Sequence, residues 1–237
     1  MPEKHLQVEL LAYTPDPEKT CALAARTCYS AMEYGELKAL VDDKDQAAFL
    51  KRIVASGHLS VLEHASFTFG VSGVSRALLA QITRHRIASF SVQSQRYVSL
   101  EKGFGYIIPP RIRELGDAAV REFESQMAQM QAWYQGWQEK LGENANEDAR
   151  FVLPNACETH ITLTMNAREL LHFFSLRCCN RAQWEIRALA TEMLRQCKQA
   201  APVIFESAGP GCVSGACPEG AKSCGQAAEV RKKFATL

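Results

Sequence analysis

The sequence predicts an α+β fold, a single domain with an antiparallel or mixed sheet flanked by long helices. Long stretches with helical apolar spacing separate the few stretches that alternate apolar and polar residues, and no two of the latter have the short spacing of a parallel βαβ unit. No internal repeat or low-complexity linker divides the 237 residues. A hydrophobic fraction of 47% and a charged fraction of 22% exclude a disordered or fibrous chain.

Two helices and a helical turn are predicted in the first quarter of the chain. Residues 17–29 and 45–56 carry helical patterning, and Gly57 follows the second stretch as a stop signal. Ser60 and Glu63 have the spacing of a capping box, which predicts one short helical turn.

A strand and a further helix come next. Apolar side chains alternate with small or polar ones over residues 67–71, which predicts a strand with one face in the core. Ser75 can cap a helix that runs to about Arg86. Residues 90–97 are polar and lack a helical period, so we expect a loop or short strand there.

The longest predicted helix spans residues 114–141. Its apolar side chains recur at steps of four and three, which indicates one stripe that packs in the core. The members of this stripe are Phe123, Met127, Met130, Tyr134, Trp137 and Leu141.

A second strand, residues 159–165, precedes two more helices. Its alternation directs three side chains inward, Ile161, Leu163 and Met165. Asn166 is followed three positions later by Glu169 and can cap a helix that continues to about Cys178. The last long helix spans residues 181–200, and we expect four of its side chains in the core, Trp184, Leu189, Met193 and Cys197.

Charge and cysteine content indicate where the protein works. Lys and Arg number 27 against 26 Asp and Glu, a balance of +1 that argues against a nucleic-acid coat or a polybasic membrane binder. No apolar run approaches the ~20 residues of a membrane helix, and the first residues do not resemble a signal peptide. Nine cysteines, an odd number, fit reduced thiols better than a disulfide framework. We therefore expect a soluble cytoplasmic protein.

The densest polar cluster lies in residues 84–97. It contains three arginines, one histidine and several hydroxyl side chains, and Gln81 shares a helix face with Arg84. Guanidinium groups bind phosphate through paired hydrogen bonds, and glutamine amides suit nucleobase edges. The alternative is a solvated charge cluster that complements the helix dipole. The glycine-rich nucleotide-binding motifs are absent, so side chains must hold any nucleotide. The hydrolase motifs G-x-S-x-G and H-E-x-x-H are absent as well.

A second polar cluster consists of Arg150, Asn166, Arg168, His172 and Arg177. Arg168 and His172 are four positions apart and share one helix face. Arg177 follows an apolar stretch at the end of its helix, which suits either an ion pair at the rim of the core or a ligand clamp. Ion pairs are the commoner use of such arginines.

Two further groups are candidate metal ligands. His58, Glu63 and His64 match no standard ligand spacing, so we expect no metal there. In a Gly- and Pro-rich tail, three cysteines are separated by four and six residues, Cys212, Cys217 and Cys224. Structural zinc takes four ligands with tighter spacing, so we expect a turn-rich extension with free thiols over residues 208–237, beside a main domain of residues 1–207.

Several segments form an ordered set of motifs. Arg84-His85-Arg86, seven further residues and Ser94 give R-H-R-x7-S, and residues 57–69 read G-H-x-S-x-x-E-H-x-x-F-T-F. Residues 150–154, 166–168, 176–177 and 182–187 add four more segments. Together they resemble the flavin-dependent thymidylate synthases, and the resemblance covers about residues 20 to 207.

The resemblance implies a reductive methylation of dUMP to dTMP. Methylenetetrahydrofolate would supply the carbon, and FAD reduced by NADPH would supply the hydride. The protein itself would bind and orient these molecules and polarise the reacting groups. Nucleic acid and membranes are not expected partners. The family is generally a homotetramer that shares its FAD and dUMP sites between subunits, which implies the same assembly here.

The resemblance also implies a role for each matching residue. The implied FAD contacts are Ser60, Arg84, His85, Arg86, Asn166, Arg168 and His172. The implied dUMP contacts are Gln81, Arg84, Ser94, Gln95, Arg96, Arg150 and Arg177. Arg177 is the implied catalytic residue, because it favours an ionised uracil N3, and His58 and Glu63 would line the same pocket. The family uses no cysteine nucleophile, and Ser94 is expected to bind substrate rather than attack it.

The chain departs from the family pattern at three places. Ser91-Val92 stands where members often carry Asn-Glu, which removes a carboxylate from the nucleotide loop. His172 stands where many have Asn, and Cys28 where many have Ser, both at positions implied to lie near the flavin.

Two alternative functions belong to other classes. A non-catalytic nucleotide- or RNA-binding module would use the arginine clusters, purify without colour and bind polyanions in a salt-sensitive way. A metal-binding regulatory protein would use the cysteine tail and contain stoichiometric zinc or iron. Flavin content separates both alternatives from the enzyme.

Overall fold

A computed structural model describes all 237 residues. The chain is 51% helix and 14% strand and forms a single domain with one small antiparallel sheet, which confirms the predicted fold class. The strands are β1 Gln7–Tyr13, β2 Ser66–Ser75, β3 Ala88–Val92 and β4 Glu158–Asn166, in the order β1-β2-β4-β3. None of the helices combines the length and apolar character needed to cross a bilayer.

Ten α-helices and three 3-10 helices accompany the sheet. The α-helices are α1 Pro17–Thr27, α2 Tyr34–Asp43, α3 Ala47–Ala55, α4 Arg76–Ile82, α5 Pro110–Glu114, α6 Asp117–Leu141, α7 Asn146–Ala149, α8 Ala167–Arg177, α9 Trp184–Ala200 and α10 Ala227–Ala235. The 3-10 helices are Leu59–His64, Arg150–Val152 and Gly220–Lys222. The sequence patterns did not predict β1, α2, α5, α7, α10 or the 3-10 helices Arg150–Val152 and Gly220–Lys222.

The residues cluster into two compact units. The first unit contains Met1–Gln7, Gly70–Arg84 and Phe90–Thr162. The second unit contains Val8–Phe69, His85–Ser89 and Leu163–Leu237. The boundaries between the units fall within all four strands.

The first unit has a core beneath α6. Phe104, Tyr106, Ile108, Met127 and Cys157 are buried there, and Phe123 and Met130 pack against them. The predicted stripe is wrong at its end, because Trp137 and Leu141 are 46% and 44% exposed. A helix of 25 residues is about 37 Å long and extends past this core, and near its end glutamines make polar contacts instead, such as Gln138 with Asn146.

The second unit packs α8 and α9 together, with the Leu59–His64 helix against both α1 and α8. Aromatic rings fill its centre: the Phe205 ring lies 5.5 Å from that of Phe67 and 5.9 Å from that of Phe174. The tail ends in α10, where Val230 and Phe234 are buried and the Phe234 carbonyl accepts a hydrogen bond from Lys198 of α9. This packing places the Leu59–His64 helix beside the start of α8.

Two predicted helix caps are present. The Ser75 hydroxyl accepts a hydrogen bond from the Leu78 amide at 3.1 Å, and the Asn166 side chain accepts one from the Glu169 amide at 2.9 Å. The helix after Ser75 nevertheless ends at Ile82 rather than Arg86, since the chain leaves helical geometry before β3 begins.

Two local predictions are wrong. The short helical turn expected near Ser60 is present as the 3-10 helix Leu59–His64, but the capping box does not form, because this helix begins before Ser60 and no side chain caps it. Gly57, with a φ of 79°, makes the turn there, and its carbonyl accepts the Leu59 amide. Trp184 is only partly buried, because it is the first residue of α9, after the Gln183 cap, whereas Leu189, Met193 and Cys197 are fully buried.

Candidate active site

Two neighbouring clefts in the second unit contain most of the residues implied to bind FAD. One cleft, of about 400 Å³, is lined by Cys28, Tyr29, Gly57, His58, Leu59, Ser60 and Arg168, among others. The other, of about 630 Å³, is lined by Leu59, Glu63, Ile87, Asn166, Arg168, Glu169, Leu171, His172 and Ser175. Leu59 and Arg168 line both. Arg168 and His172 both line the second cleft, which confirms the prediction from their spacing that they share one face of the helix.

The packing of the Leu59–His64 helix on α8 forms these clefts. The Ala167 amide donates to the Ala65 carbonyl at 2.8 Å, which ties the end of one segment to the start of the other. Arg168 then pairs with Glu63 through Nη1 and Oε1. Both side chains are about half exposed, so Glu63 orients the guanidinium without removing it from solvent.

His85 lies in the core rather than at the surface, unlike the exposed Arg84 and Arg86 on either side. Its Nδ1 lies 2.9 Å from the Glu169 carboxylate, and its Nε2 accepts a hydrogen bond from Nε of Arg177 at 3.1 Å. Burial lowers the pKa of His85, the Arg177 guanidinium lowers it further, and Glu169 acts in the opposite direction. The ring is therefore neutral at physiological pH.

The residues implied to bind dUMP lie mostly in the first unit. Gln81 belongs to α4, and Ser94 accepts a hydrogen bond from the Arg96 amide in the loop after β3. Arg96 pairs with Glu147 at 2.8 Å, and Arg150 donates to the Glu147 carbonyl at 3.0 Å. A cleft of about 790 Å³ in this unit contains Arg96 and none of the other implied dUMP residues.

The two units divide the implied residues by ligand. Every implied FAD residue except Arg84 belongs to the second unit, and every implied dUMP residue except Arg177 belongs to the first. The second polar cluster of the sequence divides in the same way, because Arg150 belongs to the first unit and its other four members to the second.

One functional candidate went unrecognised in the sequence. In the sequence, Glu169 is interpreted only as the residue three positions after the Asn166 cap. In the structure its side chain is buried and lies against His85. A carboxylate two turns before Arg177 on the same helix was the available signal.

The buried thiols are unsuited to nucleophilic chemistry. Burial raises the pKa of Cys21 to about 12, of Cys157 to about 11 and of Cys178 to about 12. The thiolate is the reactive form, so these groups are inert near neutral pH. In the tail, burial and the neighbouring thiols of Cys217, Cys179 and Cys224 raise the pKa of Cys212. No group of three or more His, Cys, Asp or Glu side chains is arranged to hold a metal ion.

Comparison with known proteins gives one consistent family. Residues 9–203 match the family described as thymidylate synthase complementing protein. A flavin-dependent thymidylate synthase of Geobacter sulfurreducens is 53% identical over 97% of this chain and 98% of its own length. One of Clostridium tetani is 48% identical over 97% of each chain.

A solved structure agrees with these relatives. The crystal structure of the flavin-dependent thymidylate synthase from Helicobacter pylori, in complex with FAD and dUMP, is 27% identical with a TM-score of 0.63. It is matched over 86% of this chain and 99% of that one. By sequence and by fold, this chain belongs to the flavin-dependent thymidylate synthase family.

Proposed function

We propose that this chain makes thymidylate by the flavin route, with FAD held in the two clefts that share Arg168. The enzyme transfers a one-carbon unit from methylenetetrahydrofolate to dUMP and reduces it to the methyl group of dTMP. FAD, reduced by NADPH, supplies the hydride when bound. The observation that carries the proposal is that Ser60, Asn166, Arg168 and His172 line two clefts with a common wall.

The side chains in these clefts fit a flavin dinucleotide. Arg168 offers a cation for the diphosphate, and Ser60 and His172 offer polar groups for hydroxyls and ring heteroatoms. Leu59 and Ile87 offer apolar surface for the aromatic rings. In the proposed roles, these residues together with Arg84, His85, Arg86 and Asn166 bind and orient the cofactor, while His58 and Glu63 line its pocket.

Substrate binding is proposed for a largely separate set of side chains. Gln81, Arg84, Ser94, Gln95, Arg96, Arg150 and Arg177 would hold dUMP. Arginine remains protonated in proteins, so these guanidinium groups attract the nucleotide phosphate at any working pH.

Arg177 has the proposed catalytic role. It is half-buried, and its Nε is fixed on His85. A cation held beside uracil N3, away from water, favours the ionised ring and so makes C5 a better nucleophile. Charge stabilisation of this kind needs a guanidinium that does not move as the anion develops.

Assembly, location and domain limits complete the proposal. We propose a homotetramer with shared FAD and dUMP sites, working in the cytoplasm without nucleic acid or membrane as a partner. Residues 1–207 form the proposed catalytic domain, and residues 208–237 form a cysteine-containing extension.

The direct test is dTMP formation by the purified protein under low oxygen. FAD, NADPH, dUMP and methylenetetrahydrofolate are supplied together, and each is then omitted in turn. Product that disappears without FAD or without NADPH supports the flavin route. A protein that forms no product and binds no flavin would contradict the proposal and favour the nucleotide- or RNA-binding module.

A further inference from the structure

We propose that Glu169 is a positioning residue for Arg177 and acts through the ring of His85. The three side chains form one hydrogen-bonded chain: Glu169 Oε1 lies 2.9 Å from His85 Nδ1, and Arg177 Nε lies 3.1 Å from His85 Nε2. The inference rests on the proposed function, because it takes Arg177 as the residue that holds uracil.

The chemistry of the three groups allows one proton arrangement. A guanidinium nitrogen can only donate, so His85 Nε2 must accept and carry no proton. The proton of the neutral ring then sits on Nδ1 and is donated to the Glu169 carboxylate, which can only accept. Glu169 therefore determines the tautomer that lets His85 receive Arg177. The lowered pKa of His85 agrees with a neutral ring.

The ring of His85 bridges the two ends of α8. Glu169 and Arg177 lie eight residues apart on this helix, a rise of about 12 Å along its axis, and each bonds to a different nitrogen of the imidazole. Both Glu169 and His85 are buried, and the Phe173 ring packs edge-on against His85 at 4.9 Å. A ring held in this way transmits the position of the carboxylate to the guanidinium.

Loss of the carboxylate has a definite expected consequence. Without the carboxylate, a proton on Nδ1 has no acceptor, so nothing fixes it there, and the neutral ring can carry it on Nε2 instead. That tautomer points an N–H group at the Arg177 Nε–H group. Two facing donors repel, so the guanidinium leaves the position in which it holds the uracil ring.

The test compares Glu169→Met with Glu169→Gln in the FAD-loaded protein. Methionine has a similar length and adapts to a buried site but accepts no such hydrogen bond, whereas the glutamine oxygen still accepts from Nδ1. dUMP binding is measured by equilibrium dialysis, and FAD content and thermal midpoint are recorded beside it. We expect Glu169→Met to weaken dUMP binding about 10- to 100-fold, the loss expected for one hydrogen bond to a charged group. Glu169→Gln should stay within about threefold of wild type. Because Glu169 also lines one of the two clefts proposed for FAD, each dUMP affinity is measured on protein brought to the same FAD occupancy.

A double-mutant cycle separates positioning from a general structural effect. In an Arg177→Ala background, Glu169→Met should change dUMP affinity less than about twofold, because its effect passes through Arg177. Equal effects in both backgrounds, or a Glu169→Gln variant as weak as Glu169→Met, would overturn the inference. Glu169→Ala gives the same comparison if the methionine variant does not fold. Wild-type protein that binds no dUMP would instead overturn the proposed function.

Discussion

His85 and Glu169 are 84 positions apart in the sequence and meet in the core, with Nδ1 and Oε1 2.9 Å apart. The contact joins the His85–Ser89 segment to α8 within the second unit. Because Arg177 donates to the other ring nitrogen, both sides of the imidazole have a defined partner. The ring must be neutral to satisfy both, and this makes the fold sensitive to acid.

Stability should fall as the pH drops below the ordinary histidine range. Burial, together with Arg177 and His172, lowers the pKa of His85 below 6.5, and Glu169 opposes them only in part. Below about pH 6.5 the unfolded chain therefore binds more protons than the folded chain, and the free energy of unfolding decreases with falling pH. Urea unfolding at several pH values between 5 and 8 should show a shallower slope for His85→Gln than for wild type. His5→Gln, at an exposed site, is the control, and identical slopes for wild type and His85→Gln would contradict the assignment.

Bound FAD should protect Cys28 from alkylation. Its exposed thiol lines the cleft that also contains Ser60 and Arg168, whereas the exposed thiol of Cys224 does not. With FAD at ten times its dissociation constant, the rate of iodoacetamide labelling at Cys28 should fall about tenfold. Peptide mass mapping measures both sites, and Cys224 is the internal control. Equal labelling of Cys28 with and without FAD would place the flavin elsewhere.

Replacing Arg168 should weaken FAD binding. Arg168 lines both clefts, and loss of one charge-assisted hydrogen bond lowers affinity about 10- to 100-fold. Arg195→Ala is the matched control, because Arg195 is also partly exposed and paired with one carboxylate, Glu192, but lines neither cleft. Flavin fluorescence titration gives both affinities. Variants that bind FAD equally well would exclude Arg168 as a cofactor residue.

Arg177→Ala should separate substrate binding from cofactor binding. The variant should retain FAD, since Arg177 lines neither of the two clefts proposed for FAD, while dUMP affinity and turnover should both fall. Loss of a charged partner for the uracil predicts a fall in turnover of at least about tenfold. Single-turnover product formation measures it, and unchanged turnover would remove Arg177 from the mechanism.

The tail cysteines should be dispensable for catalysis. Replacing Cys212, Cys217 and Cys224 together by serine leaves the two clefts unaltered, so turnover should remain near that of wild type. Cys212 is buried and its carbonyl accepts from Arg231, so the thermal midpoint is measured in parallel. A collapse of turnover in a folded variant, or stoichiometric zinc or iron in the wild type, would favour the metal-binding alternative.

Sequence patterns predicted those elements whose signals are local. The Ser75 and Asn166 caps, the buried faces of β2 and β4, and the central turns of α6 all follow from side chains within a few positions of one another. The patterns missed α10, a helix of nine residues with only two buried side chains, Val230 and Phe234. They also misplaced Trp137, because periodicity indicates a face of a helix but not how far the core extends along it.

The sequence by itself determined the family and the residue types that are proposed to hold FAD and dUMP, because ordered motifs with fixed spacing occur along the chain. Only the tertiary structure decided which of those residues meet. The fold pairs Arg168 with Glu63 and places Arg150 and Arg177 in different units. It also buries His85 between Glu169 and Arg177. Contacts over such separations depend on how helices pack, and packing is set by the whole core rather than by any local run of residues.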